Sequence, residues 1–335
     1  MLVSKLEKSM GIEVYATRSA GIGGVIRQSI EDFVVEEALV DGSKAQINPS
    51  VATQALGSSQ ATNRYLLCVI VKRNWDTLQA VRAVAQQLGI SSTQIHIAGL
   101  KDAKAVTAQH ITLEGVSAEE IQKVNVKGLE LRSIGYVRNR LSSYYLRGNS
   151  FNITIRKINH SQSTITKRIA KTIQELEDIG GVPNFFGHQR FGTTRPITHL
   201  VGKALLKGNL RKAAMLFLAK SSIYEHPESR RAREELRGSQ DFEHAANRFP
   251  KHLRYERMML KLLAERPDDF AGAFRRLPFK LQELFPQAYQ SYLFNKFLSR
   301  RIMNGLPLNR AEAGDYVVHV ERSGLPTQAM SKIAT

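Results

Sequence analysis

Apolar runs separated by turn residues set the pattern of the first half of the chain. Tyr65 to Val71 is a nearly continuous apolar stretch that predicts a strand. Asp76 to Leu88 follows with helical spacing, Thr77, Val81 and Val84 among the repeating positions. Gln94 to Ala98 and His110 to Leu113 predict two further strands on either side of a Gly-started turn. Leu129 to Tyr136 and Ser150 to Arg156 continue the strand pattern across a basic, Tyr-containing segment, Arg138 to Arg147. Ile165 to Ile179 reads as an amphipathic helix ended by Gly180, Gly181 and Pro183. Upstream, Gly21 to Arg27 leads into a β-rich stretch from Glu31 to Glu37. Residues 1–20 are mixed and predict a loosely held leader. The polar residues 41–63 predict a loop or hairpin excursion.

After residue 192 the character changes. Residues 195–301 have helical periodicity and hold 22 Lys and Arg against 11 acidic residues, a composition shift that marks a domain boundary. Tyr289, Tyr292, Leu293 and Phe297 share one helical face, and such a stripe predicts core. Gly314 to Val320 returns to a strand, and the chain stops soon after it. That ending predicts that a C-terminal segment of the fold is missing.

Charge narrows the function classes. Lys and Arg number 48 against 30 acids, a formal net charge of +18 and a pI near 10.0 in 335 residues. Such an excess is either a solvated surface or the footprint of a polyanion, and its size favours nucleic acid. The single cysteine, Cys68, excludes an intramolecular disulfide and lies in an apolar run, as a buried inert thiol does. The nine histidines show no metal-ligand spacing with cysteine. Gly21, Gly23 and Gly24 lack the full glycine spacing of a dinucleotide loop. No run is long enough to cross a membrane, and no signal peptide is visible, so a soluble, cytoplasmic protein is expected.

Two segments concentrate the candidate chemistry. In Ala98-Gly-Leu-Lys-Asp-Ala-Lys-Ala-Val-Thr-Ala-Gln109 an Asp sits between Lys101 and Lys104. Asp102 can be a turn former that caps its own backbone. Flanking cations, with Arg27 as a further partner, equally favour an ionised carboxylate that could act as a nucleophile. In Gly181-Val-Pro-Asn-Phe-Phe-Gly-His-Gln-Arg-Phe-Gly192, an extended chain would send neighbouring Phe side chains to opposite faces, one to the core and one to a cleft. A ring in a cleft stacks on a base for about 1–3 kcal/mol. Asn184 both donates and accepts, and could orient a carboxylate or read a base edge. Arg190 suits a phosphate or carboxylate, and Gln189 beside it is a candidate substrate contact.

Both segments resemble signature segments of the tRNA pseudouridine synthase D (TruD) family. Arg27 to Val35, Leu146 to Phe151, Tyr289 to Asn295 and Gly314-Asp315 resemble others, giving six matches in family order between about residues 21 and 320. The resemblance implies an α+β fold: a pseudouridine synthase catalytic domain with a mostly antiparallel central sheet flanked by helices, plus an inserted, largely helical family-specific domain. Residues 1–192 would hold the N-terminal part of the catalytic domain, its C-terminal strands absent. Residues 193–335 would be the inserted basic domain, incomplete at its end. Asp102 then matches the nucleophile and Arg27 the basic residue paired with it. Asn184 matches the amide that orients the site, Phe186 the aromatic near the target uracil, and Phe33 another aromatic of the pocket. The implied reaction is isomerisation of uridine to pseudouridine at tRNA position 13. No cofactor or metal is implied, and tRNA is the implied partner, with no obligate protein partner.

Two alternatives remain at the level of sequence. An RNA-binding or RNA-folding module without turnover would keep the cleft and lose the chemistry through truncation. A DNA-associated protein would rely on the basic helices, among which Arg230, Arg231, Arg233 and Arg237 form a candidate phosphate-binding cluster.

Overall fold

The computed structural model describes residues 2–49, 64–321 and 326–334. Much of the expected excursion at 41–63 lies outside these residues. The chain divides into two compact units: residues 21–168 with 313–335, and residues 1–20 with 169–312. The composition boundary near 192 coincides with none of these limits. The strand expected after residue 313 groups with the first unit rather than with the basic helices.

The first unit is built on a six-stranded, mostly antiparallel sheet in the order β5-β2-β4-β1-β6, with β3 paired to β4. Its strands are β1 (Phe33–Leu39), β2 (Tyr65–Arg73), β3 (Ile95–Ile97), β4 (Val106–Glu114), β5 (Leu129–Val137) and β6 (Leu146–Ile153). Among the described residues only the β1–β4 pair is parallel, with Val34 opposite Val106. β2 buries side chains on both faces, which explains its continuous apolar sequence. Leu66, Cys68 and Ile70 meet Ala80, Val81, Val84 and Ala85 of the helix Thr77–Leu88. Leu67, Val69 and Val71 pack on the other side with Val106, Ala108 and Ile134. Asp76 caps the helix through the backbone N–H groups of Leu78 and Gln79. Cys68 is fully buried, and burial pushes its thiol up to about 12, as an inert thiol requires. A hairpin of β7 (Tyr316–Val320) and β8 (Pro326–Lys332) completes the unit.

β4 is longer than the sequence predicts, reaching back to Val106. Thr107, Gln109 and His110 are buried in it, so their polarity hides a central strand. β6 starts at Leu146 and ends at Ile153, four residues upstream of the expected span at its start and three at its end.

The second unit is helical, as its periodicity predicts. Its core gathers Val201, Phe217, Leu218, Leu236, Leu260, Phe274 and Phe285 from successive helices. The helices Thr198–Leu206 and Phe279–Met303 cross at Gly202, where a Cβ would strike the Phe285 carbonyl. No helix of the described residues is long and apolar enough to cross a membrane.

Two expectations fail in this unit. The leader is not loose: Met10 is fully buried and Gly11 packs against Tyr292. Its anchor is the long helix, where Asn295 donates to the Met10 carbonyl and Ser299 to that of Gly11. The buried face of that helix is therefore Phe285, Ala288, Ser291, Asn295 and Ser299, and of the predicted stripe Tyr292 packs with Met10, Phe191 and Ala288 while Leu293 and Phe297 do not. Phe297 is 67% exposed and Leu293 is also exposed, because the small polar side chains satisfy a docked backbone that aromatics could not.

Candidate active site

The candidate residues fall into two sets, one in each unit. In the sheet unit, Asp102 sits on the turn between β3 and β4. Arg27 approaches it from the segment before β1, its Nη2 donating to Asp102 Oδ1 at 2.6 Å. Both side chains are about one-third exposed, at 34% and 38%. Arg27 has a left-handed backbone, φ +58°, an uncommon conformation for a residue with a Cβ. It is held there by the preceding bridge, in which Val25 and Arg156 exchange both backbone hydrogen bonds. Gly24 precedes that bridge at φ +96°, and a Cβ there would strike Ile155 and the Arg156 carbonyl. The Arg27 guanidinium lies 3.7 Å from the centroid of the Phe33 ring, and Phe33 meets Phe151 edge-on. The base of the pair is thus an aromatic floor, where a stacked guanidinium gains about 0.5–2 kcal/mol.

Beneath the turn lies a buried polar network. Phe33 and Glu37 stand four residues apart on the buried face of β1. Glu37 takes Lys101 Nζ on Oε2 at 2.6 Å, and the backbone N–H of His110 on Oε1 at 2.9 Å. Burial would raise the Glu37 carboxyl, but the bonds from His110 and Lys101 hold it below the usual carboxylate range. Lys101 is therefore turned inward to Glu37 and is buried, while Lys104 is exposed. Thr77 Oγ1 accepts the Lys101 N–H at 3.0 Å, and Gln109 Nε2 donates to the Gly99 carbonyl. Lys72, at the end of the apolar run of β2, donates to the carbonyl of Asp102 itself at 2.6 Å. Sequence reasoning missed Lys72, Glu37 and Thr77. A lysine closing a strand that is otherwise buried on both faces was the available signal.

The second set occupies the helical unit. Asn184, Phe185, Phe186 and Arg190 line a cavity of about 470 Å³ with Gln290, Ser291 and Phe294. The neighbouring rings Phe185 and Phe186 both line this cavity rather than parting to opposite faces, and the ring that is fully buried is Phe191, while Phe186 is 38% exposed. The segment is not extended throughout, since His188–Phe191 forms a helical turn. That turn brings Arg190 to 5.4 Å from the Phe186 ring, with its Nε donating to Ser291 Oγ at 3.0 Å. Phe186 meets Phe294 edge-on at 5.5 Å. Asn184 and Gln189 are exposed. Arg233, expected to reach a phosphate, is buried and bonds to Glu225 at 3.0 Å and Glu256 at 2.7 Å. It stands on the inner face of its helix with Ser229, Ala232 and Leu236. Arg230, Arg231 and Arg237 face outward.

Asp102 is thus a partly exposed carboxylate gripped by a stacked arginine, on a turn over a buried polar network. The model of the family tRNA pseudouridine synthase D (TruD) matches residues 9–335. A protein of Methanosarcina barkeri named probable tRNA pseudouridine synthase D is 41% identical over 335 residues, all of this chain and 73% of the relative. One of the same name from Thermococcus onnurineus is 41% identical over 313 residues, 93% of this chain and 69% of that protein. A crystal structure assigned to TruD of Methanosarcina mazei superposes with a TM-score of 0.86 at 39% identity, covering all of this chain and 73% of the other. The chain belongs to the tRNA pseudouridine synthase D family.

Proposed function

We propose that this protein isomerises uridine to pseudouridine in tRNA, at position 13, with Asp102 as its nucleophile. The observation that carries the reading is the Arg27–Asp102 pair at 2.6 Å, partly open to solvent, in a chain that matches the family over nearly its whole length. Arg27 binds Oδ1, and Oδ2 carries no hydrogen bond among the described residues. The carboxylate is thus oriented while one oxygen remains available to the nucleoside.

The atoms balance within the substrate. The bond between ribose C1′ and uracil N1 breaks, the freed base turns, and C1′ bonds to C5. The C5 proton is lost and N1 gains one, so no oxidant, reductant or added group enters the equation. Asp102 forms a bond to the substrate, at the ribose or at the pyrimidine ring, as C1′ and N1 part, and that bond breaks again once C1′ has joined C5, which returns the free carboxylate. Phe33 holds the planar guanidinium of Arg27 in place over its ring.

A uridine inside a folded RNA must leave its stack, at a cost of a few kcal/mol. The exposed Phe186 ring offers a stacking face of about 1–3 kcal/mol for a base of the bound RNA. Asn184 supplies an amide beside it, and Arg190 a guanidinium. The excess of Lys and Arg in the helical unit serves the phosphate backbone.

The test is product formation on unmodified tRNA by the wild type, D102A and R27A. Product from the wild type and none from D102A is expected, with tRNA binding retained in both. R27A should fall by about 10²-fold or more, as a mispositioned reacting group does. Wild-type binding without any product would favour the binding-only alternative, and an active D102A would remove the nucleophile.

A further inference from the structure

Lys72 is fully buried, yet its ammonium has no carboxylate within ion-pair distance among the described residues. Its Nζ donates instead to three backbone carbonyls: Asp102 at 2.6 Å, Trp75 at 2.7 Å and Lys101 at 3.4 Å. A buried cation without an ionic partner is costly, and a neutral side chain of the same length would fill the space without that cost. What only an ammonium supplies is three N–H donors and a positive charge, and both are spent on the turn that carries Asp102.

We propose that Lys72 is a positioning residue for Asp102: its ammonium pins the peptide that bears the carboxylate and sets a second positive charge behind it. This rests on the reading of Asp102 as the nucleophile. Arg27 grips the carboxylate from its exposed side, and Lys72 fixes the backbone from within β2. The carboxylate is thereby held at both ends of its short side chain.

The surroundings make this clamp titratable. Burial dominates and pulls the Lys72 ammonium down to about 8 from 10.5. Asp102 and Asp76 favour its charge and Lys101 opposes it. Lys101 is itself paired with Glu37, which also holds His110. Arg27 faces the outer side of Asp102. Above pH 8 the amine has two donors and a lone pair for three carbonyl oxygens, so one carbonyl is repelled and the turn is released.

Stability moves the other way. Between about 8 and 10.5 the unfolded chain holds the Lys72 proton and the folded one does not, so this group makes the fold relatively more stable as pH rises. The titration of Lys72 therefore does not itself unfold the chain in that window. Trp75, the single tryptophan, accepts from the same ammonium through its carbonyl and provides a reporter independent of activity.

The experiment is single-turnover pseudouridine formation on unmodified tRNA from about pH 6 to about pH 10, with Trp75 fluorescence in the same buffers. Wild type, K72R, K72M and D102A are compared. In the wild type an alkaline loss near pH 8 should coincide with a step in Trp75 fluorescence. K72R should move the loss upward and abolish the step. K72M should be slower by about 10²-fold at neutral pH, with tRNA affinity unchanged. A K72M rate equal to wild type, or a K72R profile that still breaks near pH 8, would overturn the assignment. Should K72M not fold, K72R and the fluorescence step decide on the same terms. D102A separates the two readings: an active D102A refutes the nucleophile, while an inactive D102A beside a fully active K72M refutes Lys72 alone.

Discussion

Asn295 holds the peptide of Phe186 from both sides: its Oδ1 accepts the Phe186 N–H at 2.9 Å, and its Nδ2 donates to the Phe186 carbonyl at 3.0 Å. The same Nδ2 also reaches the Met10 carbonyl at 2.9 Å. One buried amide thus joins three pieces of backbone, and the presented aromatic ring owes its place to it. Asn295→Ala strands these groups, and should cost about 1–3 kcal/mol of stability in urea unfolding. It should also slow product formation in the way Phe186→Ala does, since both remove a fixed ring from the cavity. Phe297→Ala, on the exposed side of the same helix, is the control and should change neither. An Asn295→Ala protein with wild-type turnover would show that the ring needs no such support.

The strands of the sheet were legible where burial is apolar on both faces, as in Leu66 to Val71, because so short an apolar run ending in the β-branched Val69, Ile70 and Val71 favours a strand over a buried helix. The start of β4 was not, since Thr107 and Gln109 are polar in sequence and buried in fact. Their partners, such as the Gly99 carbonyl for Gln109, come from elsewhere in the fold and leave no local trace. Asp102 and Arg27 were visible as a candidate pair from charge and resemblance together, 75 residues apart in the chain. The inward turn of Lys101 was not visible, because it depends on Glu37 standing on the buried face of β1. The aromatic stripe of the long helix misled for a related reason. Periodicity counts apolar residues, whereas this face docks backbone and so selects Ser291, Asn295 and Ser299.

Burial also divides the arginines of the helix Pro227–Ser239 into two kinds. Arg233 bonds to Glu225, Glu256 and the carbonyls of Phe217 and Leu218. Arg233→Ala leaves two carboxylates without their main cation and should cost about 3–5 kcal/mol in urea unfolding. Arg231 and Arg237 are exposed, and Arg230 is tied to Glu234, one turn away. Replacing these three by Gln should leave stability nearly unchanged. It should also flatten the salt dependence of tRNA binding by about 0.7–0.9 in log–log slope for each phosphate no longer neutralised. An unchanged slope would make the exposed arginines a solvated face.

Acid should find a weak point at His199. Its ring lies buried in the helical unit, stacked on Tyr292 at 5.2 Å and edge-on to Phe191 at 5.1 Å. Burial pulls its imidazolium down to about 4 from 6.5, and Lys220 and Lys203 press the same way against the opposing pull of the Ser9 backbone. The unfolded chain therefore takes up a proton between those values that the folded chain refuses. The contribution is fully present above pH 6.5 and is lost as pH falls to about 4. At about 1.4 kcal/mol per pH unit the loss from this one group is at most about 3 kcal/mol. His199→Phe keeps the stack and removes the titration, so its stability should fall less steeply over that range when the two are unfolded in urea at successive pH values. Parallel acid limbs in wild type and variant would place the sensitive group elsewhere.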